Sequence, residues 1–124
     1  MRLASTNANK DQPSDRIPAI FFEDDTQQLK FHIGLEREDD LAYKHPNKVS
    51  DDTWHNITVS QVFEKGEFFV RVNLDGSVIY DQELKFWPTT FDDVKVYLGD
   101  GFFPPLLGWV DQLNITTGNP LLLF

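Results

Sequence analysis

"EFFVRVNLDGSVIYDQEL", residues 67–84, is the stretch that decides the fold. In its first half apolar residues occupy every second position, which is the period of a strand with one buried face. These alternating residues are Phe68, Val70, Val72 and Leu74. Asp75-Gly76 follows, a pair that accepts the positive φ angles of a tight hairpin turn. The stretch therefore predicts a β-hairpin whose return strand is "SVIYDQEL", residues 77–84.

Short segments of the same kind lie on both sides of this hairpin. They are "IPAIFFE" (17–23), "LKFHIGLE" (29–36), "WHNITVSQVF" (54–63), "DVKVYLGD" (93–100) and "GWVDQLNITTG" (108–118). The connection at 39–52 is expected to hold one short strand near Tyr43. No segment keeps a helical apolar period over three turns, and turn-forming residues separate the segments. About seven or eight short strands predict an all-β fold, an antiparallel β-sandwich or barrel.

The alternation also assigns side chains to the two faces of the strands. Predicted to face the core are Leu29, Phe31, Ile33 and Leu35, and in the segment 54–63 the residues His55, Ile57 and Val59. Lys30 and His32 take the face opposite Phe31. Trp54 is expected to pack in the core.

Composition excludes several classes of function. Of the 124 residues 40% are hydrophobic, with 11 phenylalanines, which suffices for the core of one domain. The net charge of -9 and pI near 4.5 argue against nucleic acid or anionic lipid as a partner. With no cysteine there is no disulfide, zinc-thiolate site or thiol catalysis. The polar start and the lack of a long apolar run predict no signal peptide in this chain and no membrane insertion.

The order of these segments resembles the laminin G-like domain, a concanavalin A-like or pentraxin-like jelly roll. The shared features are Trp54-His55 at a strand start, the Asp75-Gly76 turn, a strand ending in Leu98-Gly99, and "GWVDQLNI" at 108–115. "SDRIPAIFFEDDTQQLKFHIGL" (14–35) resembles the family's earlier hairpin. Counterparts of the family's N-terminal strands and of its cysteine pair are missing.

The resemblance implies a division of the chain into an irregular N-terminal segment (1–16), a laminin G-like β-sandwich (17–118) and a C-terminal tail (119–124). Because strands are missing, the sandwich is expected to be incomplete. Unpaired edges and an uncovered apolar face favour association. We therefore expect a homo-oligomer or a partner chain that completes the sheet.

The resemblance also implies a Ca²⁺ site at one rim of the sandwich. Asp15 stands at the family's first ligand position, and Asp92 matches a later one loosely. Oxygen ligands of this kind suit a hard cation. Acidic loops at 23–25, 36–40 and 99–101 are alternative sites, and the competing explanation for all of them is solvated carboxylates in turns.

Two further features point to the surface of an extracellular protein. Asn56 and Asn114 each begin an Asn-x-Thr signal for N-glycosylation. The loop "GDGFFPPLLGW" (99–109) concentrates large apolar residues, and the predicted ligand-binding set is Phe102, Phe103, Leu106, Leu107, Trp87 and Trp109. The alternative for this loop is a lid folded over the open end of the sandwich.

Catalysis finds little support in the residues. Laminarinase-type glycoside hydrolases share the sandwich and carry Glu-x-Asp-x-x-Glu along one strand, whereas "EREDD" (36–40) has the wrong spacing. His32, His45 and His55 are scattered, without a nearby serine in a sharp turn. We therefore predict a non-catalytic extracellular recognition module, lectin-like or adhesive, that binds a protein or glycan. The alternatives are an assembly piece completed by another chain and a diverged glycosidase-like enzyme.

Overall fold

The structure is a computed structural model that describes residues 2–4, 19–23, 25–35, 38–88, 95–97 and 108–116. Its strands are β1 (Arg2–Ala4), β2 (Ala19–Phe22), β3 (Gln28–Leu35), β4 (Glu38–Lys48), β5 (Ile57–Glu64), β6 (Glu67–Leu74), β7 (Ser77–Glu83) and β8 (Lys95–Tyr97). No helix occurs in these residues, which confirms the all-β class. Nor does this part of the chain contain a helix long and apolar enough to cross a membrane.

The strands form two antiparallel sheets. In the larger sheet the order is β4-β3-β2-β1-β8, where β3 and β4 are the long strands and β2, β1 and β8 have only three or four residues each. In the smaller sheet β5, β6 and β7 follow one another as a meander. β1 lies within the segment 1–16, for which the sequence predicted irregular structure.

The hairpin predicted from residues 67–84 is present as β6 and β7. Asp75 and Gly76 form its turn with φ angles of 51° and 80°. Lys65 and Gly66 turn the preceding hairpin, between β5 and β6, with φ angles of 53° and 84°. Two successive positive φ angles are what a two-residue turn needs to match the twist of its strands. The two turns therefore fix the register of the smaller sheet.

Both sheets contribute side chains to one hydrophobic cluster. The buried members are Phe31, Ile33 and Leu35 from β3, Val70 and Val72 from β6, and Leu84 just after β7. Burial of this alternating set confirms the inward faces predicted for β3 and β6. Apolar area removed from water is the main stabilising contribution to such a fold.

Aromatic rings also connect the two sheets. The Phe31 ring of β3 lies 5.2 Å from the Tyr80 ring of β7, nearly perpendicular to it, and 5.4 Å from the Tyr43 ring of β4. Tyr43 and Tyr80 are 4.4 Å apart, and the Tyr43 hydroxyl donates a hydrogen bond of 3.0 Å to the carbonyl of Ile79. The Tyr43 side chain thus connects the larger sheet to β7 by both packing and a hydrogen bond.

The opposite face of β3 is covered as well. His32, which lies there as predicted, is only 8% exposed, and its ring stacks on Phe21 of β2 at 5.3 Å. β3 is flanked by β2 on one side and β4 on the other. One face of β3 is buried against the smaller sheet, and on the other face the Phe21 side chain of β2 covers His32.

The prediction of one short strand near Tyr43 was wrong, because β4 runs for 11 residues. Its charged residues and Pro46 hide the alternation, in which half-buried Leu41 and Tyr43 are separated by exposed Ala42. Proline is tolerated here because β4 is the edge strand of its sheet.

Two other predictions about the strands were also wrong. Trp54 is 68% exposed rather than in the core, since β5 begins only at Ile57 and leaves Trp54 on the preceding connection. Residues 108–116 form no strand, although "GWVDQLNITTG" was expected to close the sheet series. A positive φ of 52° at Gln112 interrupts the extended backbone of this segment.

Candidate functional site

Several predicted site residues lie outside the described part of the chain. These are the calcium ligands Asp15 and Asp92 and the loop residues Phe102, Phe103, Leu106 and Leu107. Within the described ranges there is no group of three or more His, Asp or Glu side chains that could hold a metal ion. Trp87, Trp109, Asn56 and Asn114 are described, and the site is built from them.

Trp87 lies on the connection that leaves β7 and crosses towards β3. Before it, the buried Leu84 donates its backbone N–H to the carbonyl of Phe68 in β6, at 2.7 Å. After it, the buried Pro88 forms an antiparallel bridge with Leu35 of β3. The backbone of Trp87 is therefore held on one side by the smaller sheet and on the other by the larger sheet.

The indole of Trp87 packs against two phenylalanines at the turn between β5 and β6. Phe63 and Phe68 are direct cross-strand partners, with ring centroids 4.8 Å apart. The Trp87 ring lies 5.2 Å from Phe68 and 6.4 Å from Phe63, both in edge-to-face geometry. Such contacts hold the rings in defined orientations. We call Phe63, Phe68 and Trp87 the aromatic cluster.

The aromatic cluster reaches from the core to the surface. Phe68 is half-buried and packs against the shared hydrophobic cluster. Phe63 is 37% exposed and Trp87 is 61% exposed. An apolar ring system that is fixed from below and open above can contact the apolar face of a ligand.

Charged groups surround the end of this hairpin. Arg71 donates two hydrogen bonds to the Glu64 carboxylate, at 3.1 and 3.2 Å, and a third to Asp81 at 3.0 Å. The Arg71 guanidinium lowers the pKa of Glu64, so this carboxylate stays ionised near neutral pH. The ion pairs lie on the face of β6 opposite Val70 and Val72, so these charges are on the other side of the hairpin from the aromatic cluster.

Trp109 is far more exposed than Trp87. It is 86% exposed, in the strand-free segment 108–116, where Val110, Leu113 and Ile115 are also exposed. Among the residues that the structure describes, the rings in contact with Trp87 are those of Phe63 and Phe68 and not that of Trp109. The structure thus joins Trp87 to two phenylalanines that the sequence did not single out.

Both predicted glycosylation acceptors have exposed side chains. Asn56 stands just before β5, where its Oδ1 accepts a hydrogen bond of 3.4 Å from the Thr58 hydroxyl. The Asn114 amide donates to the carbonyl of Gln112 at 3.3 Å. Neither acceptor nitrogen is enclosed by the fold.

Ser50, His55 and Asp75 form a second polar arrangement, which the sequence did not reveal. The sequence showed no serine in a sharp turn near a histidine; in the structure Ser50 Oγ is 3.2 Å from His55 Nε2. His55 Nδ1 is 2.7 Å from Asp75 Oδ2, and Asp75 Oδ1 accepts the backbone N–H of Asn56 at 2.9 Å. No local sequence pattern signals this arrangement, because Asp75 belongs to a turn 20 residues further along the chain.

The contacts of His55 determine its protonation. Nε2 also lies 2.8 Å from the backbone carbonyl of Ser50, which can only accept a hydrogen bond. Nδ1 faces the Asp75 carboxylate, so both ring nitrogens lie beside hydrogen-bond acceptors, an arrangement that favours the protonated ring. The hydrogen bonds accepted by the Asp75 carboxylate and, to a smaller extent, by the Ser50 carbonyl raise the pKa of His55. The hydrogen bond with His55 lowers the pKa of Asp75.

This arrangement differs from a nucleophilic triad in one decisive respect. In a Ser-His-Asp triad the neutral Nε2 accepts the proton of the serine hydroxyl. Here Nε2 lies 2.8 Å from the Ser50 carbonyl and 3.2 Å from Ser50 Oγ, so its nearer partner is a group that only accepts hydrogen bonds. What the geometry provides is a charge-assisted bridge between the chain before β5 and the β6–β7 turn.

No protein-family model matches this chain, and neither a curated protein nor a solved structure matches it.

Proposed function

We propose that this chain is a non-catalytic extracellular recognition module that binds its ligand through the aromatic cluster. The proposed architecture is a β-sandwich of the laminin G-like, jelly-roll type. The hydrophobic cluster shared by β3 and β6 supports two layers packed face to face, and the order of the sequence motifs supports the family.

The observation that carries the proposal is the half-exposed Trp87 on an anchored backbone. Hydrogen bonding at Leu84 and the bridge at Pro88 hold the chain on both sides of it. Phe63 and Phe68 support the indole from below. A tryptophan held in this way loses little conformational freedom on binding, which is why rigid aromatic side chains dominate recognition sites.

Between the two ligand classes, the cluster favours a glycan. A sugar ring presents a flat apolar C–H face that matches one indole face in size. Assistance by Ca²⁺ through Asp15 and Asp92 is the further part of this proposal that the family resemblance supports.

A glycan array tests the proposal directly. The full chain is applied with and without a chelator, next to the variants Trp87→Ala, Trp54→Ala and Trp109→Ala. We expect wild type and the last two variants, whose substituted residues lie outside the cluster, to bind the same glycans. Loss of binding in W87A alone supports the proposal, while undiminished binding in W87A contradicts it. Loss of signal with chelator supports the calcium part.

The segment 108–116 favours a second candidate, an assembly piece that is completed by another chain. Trp109, Val110, Leu113 and Ile115 leave a run of apolar side chains in solvent. Sedimentation equilibrium of wild type and of Leu113→Ser tests this candidate. A concentration-dependent oligomer that L113S weakens supports it, and a monomer at every concentration contradicts association between copies.

A further inference from the structure

The connection between β4 and β5, residues 49–56, joins the larger sheet to the smaller one. Its first half is attached to the β2–β3 turn. Val49 donates its N–H to the carbonyl of Gln27 at 3.1 Å, and the Gln27 amide donates to the Asp51 carboxylate at 2.9 Å. Val49 is 7% exposed. This half of the connection therefore has hydrogen bonds that involve no histidine.

The second half of the connection is attached to the β6–β7 turn in a different way. Two hydrogen bonds connect Asn56 and Asp75. The Asp75 N–H donates to the Asn56 carbonyl at 2.8 Å, and the Asn56 N–H donates to the Asp75 side-chain oxygen Oδ1 at 2.9 Å. The His55 ring adds a contact between Nδ1 and Asp75 Oδ2, and its Nε2 contacts the backbone carbonyl of Ser50. One side chain thus holds both the turn and the middle of the connection.

We propose that His55 is a pH-operated clamp, whose protonated ring bridges Ser50 in the connection 49–56 and Asp75 in the β6–β7 turn, and which on deprotonation loses one of these two contacts. This inference is independent of ligand binding by the aromatic cluster. It depends on the fact that both ring nitrogens of His55 face hydrogen-bond acceptors. A neutral imidazole has only one N–H, so one of those acceptors then meets a lone pair and that contact becomes repulsive.

The charged groups around the ring agree with this assignment. From the smaller sheet, Asp75 is the described charged residue that acts on His55. On the connection itself, Asp51 and Asp52 are exposed, and Asp51 is engaged with Gln27 and, at 3.9 Å, with exposed Lys48 at the end of β4. On the β2–β3 turn, Asp25 is exposed to solvent. The His55 side chain is 16% exposed, so water competes little for its two bonds.

The direction of the pH dependence follows from the two partners. The pKa of His55 is raised from 6.5, so the clamp is fully closed below 6.5 and opens as the pH rises through the raised value. The pKa of Asp75 is lowered from 3.8, so its part of the contact is present above 3.8 and is lost as the pH falls through the lowered value. The clamp is therefore closed in mildly acidic solution and open in alkaline solution.

Nuclear magnetic resonance of the full chain tests the clamp. The ring protons of His55 and the backbone amides of Asn56 and Asp75 are followed from pH 5 to 9. We expect the His55 midpoint to lie above 6.5, with both amide signals moving at the same midpoint. A His55 midpoint at or below 6.5, or amides that do not move with it, would overturn the proposal.

Three variants separate the clamp from its alternatives. Asp75→Asn keeps a turn residue that accepts a positive φ but removes the charge, so the His55 midpoint should fall and the joint titration should be lost. Ser50→Ala keeps the carbonyl and should leave the midpoint unchanged, whereas a fall would show that the hydroxyl makes the contact. His45→Gln should change nothing. Covalent labelling of Ser50 by a fluorophosphonate would overturn the clamp in favour of a nucleophilic serine.

Discussion

His55 Nδ1 lies 2.7 Å from Asp75 Oδ2, although 20 residues separate them in the chain. Asp75 also has a φ angle of 51°, as the two-residue turn between β6 and β7 requires. One residue therefore shapes the hairpin of the smaller sheet and binds the chain that arrives from the larger sheet. Asp75 thus combines the backbone preference of a turn residue with a contact to a residue far away in the chain.

The stability of the protein should depend on pH through this contact. Replacing His55 by Gln removes the charge, so wild type should be more stable than H55Q below pH 6.5, where the ring is protonated both folded and unfolded. The difference should shrink as the pH rises through the raised pKa of His55. Urea unfolding of both proteins at a series of pH values measures it. A difference that grows with pH would contradict the assignment.

Phe31 should be the most sensitive position in the core that the two sheets share. It is 1% exposed and contacts Tyr43 and Tyr80. Phe31→Ala should lower the free energy of unfolding by about 3–5 kcal/mol, the usual cost of removing a buried phenylalanine. Gln82→Ala, at an exposed position on β7, should change it by no more than about 0.5 kcal/mol. Equal effects of the two substitutions would show that the sheets do not pack together.

Substitution of the turn glycine Gly76 tests the backbone conformation of the hairpin turn rather than the packing of the core. Its φ of 80° is unfavourable for other residues, but a Cβ there would meet no atom within 4 Å. Gly76→Ala should therefore cost only the backbone term, about 1–2 kcal/mol. Gly66→Ala, with a φ of 84° and equally open space, should cost a similar amount. Thermal unfolding checks both, and a neutral effect at both turns would argue against the turn geometry.

Arg71 should control the titration of Glu64. Its guanidinium is the main cause of the lowered pKa of that carboxyl, so Arg71→Met should bring the pKa of Glu64 back up towards 4.5. Lys65→Met removes a weaker influence on the same carboxyl and should shift its pKa less. Carboxyl carbon shifts followed from pH 2 to 7 measure both. A larger effect of K65M would contradict the two hydrogen bonds between Arg71 and Glu64.

The glycosylation signals give a prediction that needs no ligand. Expressed through a secretory pathway, the chain should carry glycans at Asn56 and Asn114, because both side chains are exposed. Each of Asn56→Gln and Asn114→Gln should remove one glycan mass, and the double variant should show no mass shift on enzymatic deglycosylation. An unshifted wild type would contradict the prediction.

The sequence predicted those parts of the fold that depend on local patterns. The turn at Asp75-Gly76 and the buried face of β3 around Phe31 follow from residue type and a period of two. β4 was predicted too short because charged residues and Pro46 suit an edge strand, whose position is a property of the whole sheet. Trp54 was misplaced because its strand begins three residues later than its apolar character suggested.

The candidate sites were harder to predict from the sequence than the strands, because they consist of contacts that form only when the sheet is paired. Trp87 was predicted as a ligand-binding residue because it is an aromatic residue beside a proline. No sequence pattern predicted which rings it would contact. Phe63 and Phe68 meet because the Lys65-Gly66 turn sets their register, which no composition or motif reveals. The bond between His55 and Asp75 requires β5 and β6 to be paired before the two side chains can meet.

The central claim is that the aromatic cluster contacts the ligand, and the emission of Trp87 tests it most directly. In the variant carrying Trp54→Phe and Trp109→Phe, Trp87 is the one tryptophan that remains. An oligosaccharide selected on the glycan array is then titrated into this protein. The account predicts a saturable change in Trp87 emission that Phe63→Ala weakens. Binding by calorimetry with no change in that emission would contradict it.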